Sequence, residues 1–122
     1  MRNLKVALFF LLLTALAMAG RFDGNYVMYG AINNKYQISM EITIQGGNVY
    51  GNYGYDSQTG KLVLNGTIDA QGNVVMYESD NRGQRTGIFR GTIDPEGGGI
   101  SGTWSSPDGR TAYPFFVEEP RC

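Results

Sequence analysis

The stretch YQISMEITIQ, residues 36–45, alternates apolar and polar side chains without interruption. Successive side chains of a β-strand point to opposite faces, so the apolar ones share a single face: Tyr36, Ile38, Met40, Ile42 and Ile44. No window of the chain after residue 19 shows the spacing of an amphipathic helix. The pattern predicts strands that bury one face in a core and turn the other to water.

Turn-forming sequences recur at intervals of roughly ten residues on both sides of this strand. They are NNK at 33, GGN at 46, DSQTG at 56, DAQG at 69, DNRGQ at 80, DPEGGG at 94 and SPDGR at 106. Seven short connections delimit eight strands, and short connections make sequential strands antiparallel neighbours. We therefore expect an all-β, eight-stranded antiparallel up-and-down meander closed into a small barrel, with a two-sheet β-sandwich as the alternative.

The turns also predict how the strands align. A two-residue turn at Gly46 and Gly47 pairs Ile44 with Val49. A four-residue SQTG loop then places Tyr55 beside Leu62, and the loop at residues 81–84 places Met76 beside Phe89. In each hairpin, inward residues meet inward residues.

The sequence GTIDAQGN at 66–73 is echoed by GTIDPEGG at 91–98. Both copies have the Asp-x-x-Gly spacing of a type I turn, so the repeat predicts a duplicated hairpin rather than a duplicated binding site. A three-residue loop with Gly72 in the left-handed region pairs Ile68 with Val74. The extra glycine of the second copy restores the strand phase and lets Phe89 meet Trp104.

Glycines are expected at inward positions where strands bend sharply, namely Gly51, Gly66, Gly91 and Gly102. The first strand, YVMYGAI at 26–32, has apolar residues at both parities. We expect Val27, Tyr29 and Ala31 to face inward, which would leave Met28 and Ile32 outside.

The N-terminus has the pattern of a secretory signal peptide. Arg2 and Lys5 precede an apolar run at 6–16, and AMA at 17–19 supplies small residues for cleavage. A retained membrane anchor would need a longer apolar stretch. We expect residues 1–19 to be removed, residues 20–122 to form a single domain, and the protein to be exported to the periplasm or secreted, without stable insertion into a membrane.

Composition excludes several kinds of chemistry. The chain contains no histidine, which removes serine or cysteine nucleophile systems with a histidine base and the usual zinc ligands. Loss of Arg2 and Lys5 changes the formal charge from −1 to −3, and no basic footprint for nucleic acid is present. Cys122 is the only cysteine, so no intrachain disulfide forms. We expect no metal, no cofactor and a monomer.

A candidate ligand site lies at one end of the predicted barrel. Glu78 and Asp80 have inward parity, and Arg85 on the next strand is placed opposite Asp80. Such a cluster either closes a barrel mouth as a solvated ion pair or orients a polar ligand. The same end collects aromatic residues, and the full predicted ligand-binding set is Glu78, Asp80, Arg85, Tyr36, Tyr53, Tyr55, Trp104 and Tyr113.

A second candidate surface lies outside the barrel. Apolar residues at outward parity on adjacent strands form a modest patch, and they are Val63, Val75, Tyr77 and Ile88. This patch predicts a protein interface and, with it, an interaction or inhibitor module. A third alternative, glycoside hydrolysis, needs only two carboxyl groups, which Glu78 and Asp80 supply.

Four segments together resemble a group of small exported bacterial proteins of unknown function. The segments are KYQISMEITIQGGNVYGNYGY, LVLNGTIDAQGN, TGIFRGTI and the ending SGTWSSPDGRTAYPF. The resemblance covers nearly all of the mature chain and implies a fold, with no activity attached. In topology alone the chain is similar to avidin- and lipocalin-type barrels. The leading expectation is a non-catalytic exported barrel that binds a small molecule or glycan at one mouth.

Overall fold

A computed structural model describes residues 20–96 and 98–120. The predicted signal peptide and Cys122 lie outside the described residues. A short 3-10 turn, Gly20–Phe22, precedes eight strands. They are β1 Gly24–Ile32, β2 Tyr36–Gln45, β3 Asn48–Tyr55, β4 Leu62–Ile68, β5 Asn73–Ser79, β6 Arg85–Ile93, β7 Gly99–Ser105 and β8 Ala112–Glu118. Each strand pairs antiparallel with the next, and β8 pairs with β1, which confirms the closed meander barrel over the sandwich.

Packed side chains occupy the barrel interior. The apolar residues of the alternating strands are buried, among them Ile38, Met40, Leu64, Met76 and Phe89, each with no exposed surface. The Phe89 ring meets Tyr53 edge-on at 5.1 Å and Phe115 at 4.9 Å between centroids, within the range of favourable aromatic pairs. This packing supplies the apolar burial that holds together a domain of this size.

The predicted strand registers are largely confirmed. Ile44 pairs with Val49, and Phe89 pairs with both Met76 and Trp104. The β3–β4 register differs, because Tyr53 rather than Tyr55 lies opposite Leu62. The loop therefore spans 56–61 instead of four residues. The predicted and observed registers differ by two residues, and side chains alternate with a period of two, so every side chain keeps its predicted face.

The predicted phase of β1 is wrong. Met28 and Ile32 are buried, at 0% and 2% exposure, whereas Val27 and Tyr29 are close to half exposed. Ala31 is buried as expected, at 3% exposure, although it lies opposite the exposed Phe116. The cause is Gly30, where an added Cβ would lie 1.8 Å from the Phe116 carbonyl oxygen on β8. Only a glycine allows that strand approach. Gly30 lies opposite Ile38 and Val117, which are both buried, so this position faces inward and Met28 and Ile32 share its face.

The other inward glycines serve the same purpose. At Gly51, Gly66, Gly91 and Gly102 an added Cβ would lie between 1.7 and 2.2 Å from a carbonyl oxygen of the neighbouring strand. The strands cross closely at these points, which is how so small a barrel closes. The prediction of a strongly coiled barrel with inward glycines is therefore confirmed.

The two barrel ends differ. At one end lie the turns of the GTID repeat and Phe22, which is buried and whose carbonyl accepts a hydrogen bond from the Tyr26 hydroxyl at 2.6 Å. Gly72 has a φ of 91°, as the left-handed turn position requires. The opposite end, here called the mouth, is formed by the loops at 33–35, 56–61, 80–84 and 106–111.

Candidate functional site

A buried carboxyl group lies inside the barrel near the mouth. Glu78, on β5, is 3% exposed. It accepts hydrogen bonds from the Tyr53 hydroxyl, from Thr86 Oγ1 at 2.6 Å and from Trp104 Nε1 at 3.1 Å. Burying a carboxyl group is costly unless donors satisfy its oxygens. Here three neutral side chains from β3, β6 and β7 do so, and none of them supplies a compensating positive charge.

A β-bulge brings Thr86 into this cluster. Glu78 pairs with Gly87 and Ser79 pairs with Arg85, so Thr86 is an extra residue on β6 without a partner across the ladder. A bulge reverses the inward and outward alternation beyond it. Thr86 consequently turns inward to reach Glu78, although strict alternation would place it outside.

The same bulge overturns the predicted position of Arg85. Its guanidinium lies over the outward-facing Tyr77 ring, 3.9 Å from the centroid, and the side chain is exposed on the barrel wall. A cation over an aromatic face is attracted by the ring quadrupole. Arg85 therefore does not lie opposite Asp80, and the predicted inward pair of Asp80 and Arg85 is wrong.

Asp80 mainly stabilises a turn. Its Oδ1 accepts hydrogen bonds from the backbone N–H groups of Arg82 at 2.9 Å and Gln84 at 3.0 Å. Asp69 makes the same two bonds, to Gln71 and Asn73, in the first GTID turn. The Asp-x-x-Gly spacing of DNRG at 80–83 was the sequence signal for this role.

Trp104 reaches Glu78 by crossing β6. The indole lies against Gly87, where an added Cβ would be 2.4 Å from Nε1. The absence of a side chain at Gly87 therefore opens the path between the two groups. Strand alternation places Gly87 opposite Glu78, as the structure confirms, but it does not reveal Thr86, whose inward position depends on the bulge.

Aromatic rings continue from the Glu78 cluster toward the mouth. Tyr55 packs on Tyr53 at 5.8 Å, and Tyr36 meets Tyr55 edge-on at 6.3 Å. On the other side, Trp104 and Tyr113 stack at 6.1 Å with an interplanar angle of 10°. Tyr36 is 43% exposed, and the other outer rings, those of Tyr55, Trp104 and Tyr113, are partly exposed. The structure thus brings six of the eight predicted site residues together.

An open depression of about 420 Å³ lies at the mouth between the 56–61 loop and Asp80, and Tyr55 is the one ring of this set that lines it. Its lining includes Tyr55, Leu62, Lys61 and Asp80. Asp80 therefore borders the mouth, although its Oδ1 accepts hydrogen bonds from the backbone of its own turn. The depression is open to solvent, which suits a ligand that rests on the mouth rather than one enclosed in the barrel.

The tyrosine hydroxyls near Glu78 remain protonated at neutral pH. Burial raises the pKa of Tyr53 far above its ordinary value of 10.0, and the Glu78 carboxyl raises it further. Burial likewise raises the pKa of Tyr55. Tyr53 is therefore held in the form that donates to Glu78.

The predicted outer patch is also assembled. Tyr77 lies directly opposite Ile88, and Val75 lies two residues away from Tyr77 on the same face of β5. Val63 on β4 is 46% exposed. The four side chains, Val63, Val75, Tyr77 and Ile88, all lie on the outer wall of β4, β5 and β6, and Val63 is a diagonal neighbour of Tyr77.

The described residues contain neither a metal-binding cluster nor a membrane-spanning helix. Over residues 20–96 and 98–120, no three His, Cys, Asp or Glu side chains come together as a metal site would require. No helix within those ranges is long and apolar enough to cross a membrane.

The fold and the cluster define the chain as a small, filled, up-and-down β-barrel with a polar and aromatic mouth. A scan against protein-family models finds no match, and searches of the curated proteins and of the solved structures find none either.

Proposed function

We propose that this chain is an exported, non-catalytic binding protein that holds a small molecule or glycan at its mouth. One observation carries the proposal: Glu78 accepts hydrogen bonds from three donors, and one of them, Trp104, is also a partly exposed ring at the mouth. We call the outer rings at the mouth the aromatic rim, and they are Tyr36, Tyr55, Trp104 and Tyr113. The hydrogen bonds fix the indole in place. A ring fixed before the ligand arrives loses little conformational freedom on binding.

The chemistry of the rim favours flat or ring-shaped ligands. Aromatic faces pack well against sugar rings and small aromatic compounds, and their polar edges supply hydrogen bonds. The stacked pair of Trp104 and Tyr113 and the edge-on pair of Tyr36 and Tyr55 present two such walls. Since packed side chains fill the interior, the ligand would lie across the mouth.

The hydrolase alternative has less support. A glycosidase needs one carboxyl group as acid and a second as base or nucleophile, both facing the scissile bond. The Glu78 oxygens are bonded to Tyr53, Thr86 and Trp104, and Asp80 Oδ1 is bonded to its own turn. A binding role requires neither group to be free.

Trp104 is the only tryptophan, so its fluorescence reports directly on the mouth. Titration of the mature chain with chitotriose, maltotriose, cellotriose and benzoate should give a saturable change with at least one probe. Tyr113→Ala should weaken that binding at least tenfold, because it removes one wall. Tyr50→Ala is the matched control, since Tyr50 is exposed on the outer wall of β3. Unsaturable responses to all four probes, or equal losses in both variants, would refute the mouth as the site.

Export is part of the proposal, and the resemblance to small exported bacterial proteins supports it. Expression of the full chain in a bacterial host, followed by fractionation and intact mass measurement, should place a form beginning at Gly20 outside the cytoplasm. A cytoplasmic full-length product would contradict it.

A second candidate function is a protein-interaction or inhibitor module that uses the outer patch. The favouring observation is that Tyr77 and Ile88 pair directly, next to the exposed Val63. Adjacent apolar side chains on an outer wall are typical of contact surfaces. A Val63→Ser, Ile88→Ser variant that loses a partner bound by the wild type would support this role, provided that binding at the mouth is unchanged.

A further inference from the structure

The outer wall of the barrel carries a second apolar area that the sequence did not reveal. Val27 and Tyr29 on β1 and Phe116 on β8 expose between 41% and 48% of their surface. Ala31 pairs with Phe116, and Tyr29 pairs with Glu118, so Tyr29 and Phe116 are diagonal neighbours across the seam. The area exists because β1 has the opposite phase from the one that its sequence predicts.

Acidic residues flank this area. Glu41 lies opposite Val27 on β2, and Glu118 lies opposite Tyr29 on β8. Both are exposed, and they are the only charged residues in β1, β2 and β8. We call this surface, formed by Val27, Tyr29, Phe116, Glu41 and Glu118, the acidic face.

The outer patch is flanked by the opposite charge. Arg90 lies opposite Val75, and Arg85 covers Tyr77. Both arginines are exposed, and the one acidic residue in β4, β5 and β6, Glu78, is buried inside the barrel. We call the outer patch together with Arg85 and Arg90 the basic face.

The two faces point in opposite directions. In a closed ring of eight strands, β1 and β5 lie four strands apart by either route, so they occupy opposite walls. The strands of one wall thus present exposed apolar side chains beside acidic residues, and the strands of the other present exposed and partly exposed apolar side chains beside arginines. A surface of this kind is complementary to the other wall of a second copy and repulsive toward its own equivalent.

We propose that the acidic face of one molecule binds the basic face of the next, so that the mature chain associates head to tail with itself. The occupant is a second copy because the chain itself supplies both complementary surfaces. This contact is heterologous, and such contacts repeat into rings or filaments rather than stopping at a symmetric dimer. The inference builds on the second candidate function, it is independent of the mouth, and it replaces the expectation of a monomer.

Sedimentation velocity of the mature chain tests the inference across a wide range of protein concentration. The weight-average sedimentation coefficient should rise with concentration at low ionic strength and rise less at high ionic strength, because salt screens exposed charges. Arg90→Glu disables the basic face, and Glu118→Arg disables the acidic face. Each variant alone should remain monomeric, and far-ultraviolet circular dichroism should show that each is folded.

The decisive measurement mixes these two variants in equal amounts. The Arg90→Glu chain keeps an intact acidic face, and the Glu118→Arg chain keeps an intact basic face, so the mixture should associate although neither variant does so alone. Lys35→Glu is the control, since Lys35 is exposed at the mouth and belongs to neither face. That variant should associate as the wild type does.

A wild-type chain that stays monomeric at every concentration and salt would overturn the inference. So would single variants that still associate, or a mixture that remains monomeric. Association that does not respond to salt would also overturn it. If the chain is monomeric but a different protein binds through Val63 and Ile88, the second candidate function stands and self-association alone fails.

Discussion

Trp104 donates a hydrogen bond to Glu78 across an intervening strand. The two residues lie on β7 and β5, and Nε1 is 3.1 Å from Oε1. The indole passes over β6 at Gly87, where no side chain blocks it. This hydrogen bond connects the aromatic rim to the buried carboxyl group across two strands that are not neighbours. The proposed binding role depends on it.

Gly87→Ala should break this contact. The new Cβ would lie 2.4 Å from Nε1 and 2.8 Å from Cε2 of Trp104, so the indole must move. We expect the free energy of unfolding to fall by about 1–3 kcal/mol, as for other overpacked sites. Tryptophan fluorescence should shift as the ring leaves its hydrogen bond, and urea denaturation gives the stability.

Gly20→Ala is the control for this substitution. Its nearest neighbour would be a side-chain oxygen of Asp23 at 3.5 Å, an ordinary contact. Neither the emission nor the urea midpoint should change by much. Equal behaviour of the two variants would contradict the role assigned to Gly87.

Tyr53→Phe should destabilise the barrel because it removes one donor from Glu78 inside the core. Loss of a buried hydrogen-bond partner costs about 1–3 kcal/mol. Tyr50→Phe also removes a hydroxyl, but from an exposed ring, and should change stability by less than about 0.5 kcal/mol. Urea denaturation of both variants measures the difference.

A double-mutant cycle isolates the contact itself. Glu78→Gln and Tyr53→Phe, measured singly and together, should show a coupling energy of about 0.5–3 kcal/mol. Thr86→Val combined with Glu78→Gln should couple in the same direction. Additive effects in both cycles would show that the three side chains do not act as a cluster.

Alkaline pH should destabilise the fold through Tyr53. Burial, followed by the Glu78 carboxyl, raises its folded-state pKa above the ordinary value of 10.0. The unfolded chain therefore releases this proton first, so stability is fully present below pH 10 and falls as the pH rises beyond it. The urea midpoint should decline above that pH, and Tyr53→Phe should decline less steeply.

The phenolate absorbance provides an independent check of the same residues. Burial also raises the pKa values of Tyr55 and Tyr26. Three of the eight tyrosines should therefore ionise late in the folded chain, and all eight should ionise together once it is unfolded in denaturant. Uniform titration of the folded protein near pH 10 would contradict the burial of these hydroxyls.

Acid should weaken the first GTID turn. The Asn73 side chain and backbone hydrogen bonds lower the folded-state pKa of Asp69 below its ordinary value of 3.8. Such a group contributes stability above that pH, and the contribution is lost as the pH falls through the folded-state pKa. Asp69→Asn should reduce the acid dependence of the urea midpoint, and Asn73→Ala should reduce it too because it removes the main cause.

Met28→Ala and Val27→Ala test the phase of β1. Met28 is completely buried, so its truncation should cost about 2–5 kcal/mol. Val27, one residue earlier, is 47% exposed, and its truncation should cost less than about 1 kcal/mol. If urea denaturation showed a larger loss of stability for Val27→Ala than for Met28→Ala, β1 would have the phase expected from the sequence.

Much of the fold is readable from the chain because its signals are local. The alternation in 36–45 and the turn at Gly46 and Gly47 predict a hairpin whose register is confirmed. Local signals are weaker where both parities are apolar, as in β1, or where loop length alone sets the register, as after Tyr55. The inward glycine rule, applied to Gly30, would have corrected β1 from sequence alone.

The sequence by itself determined the class of fold, the eight strands and most of their registers, since alternation and turn residues act over a few neighbouring positions. Only the tertiary structure decided which polar residues meet. The bulge at Thr86 sends Arg85 outward, and the space at Gly87 lets Trp104 reach Glu78. Both outcomes depend on the distance between strands in the closed barrel, which no local pattern along the chain encodes.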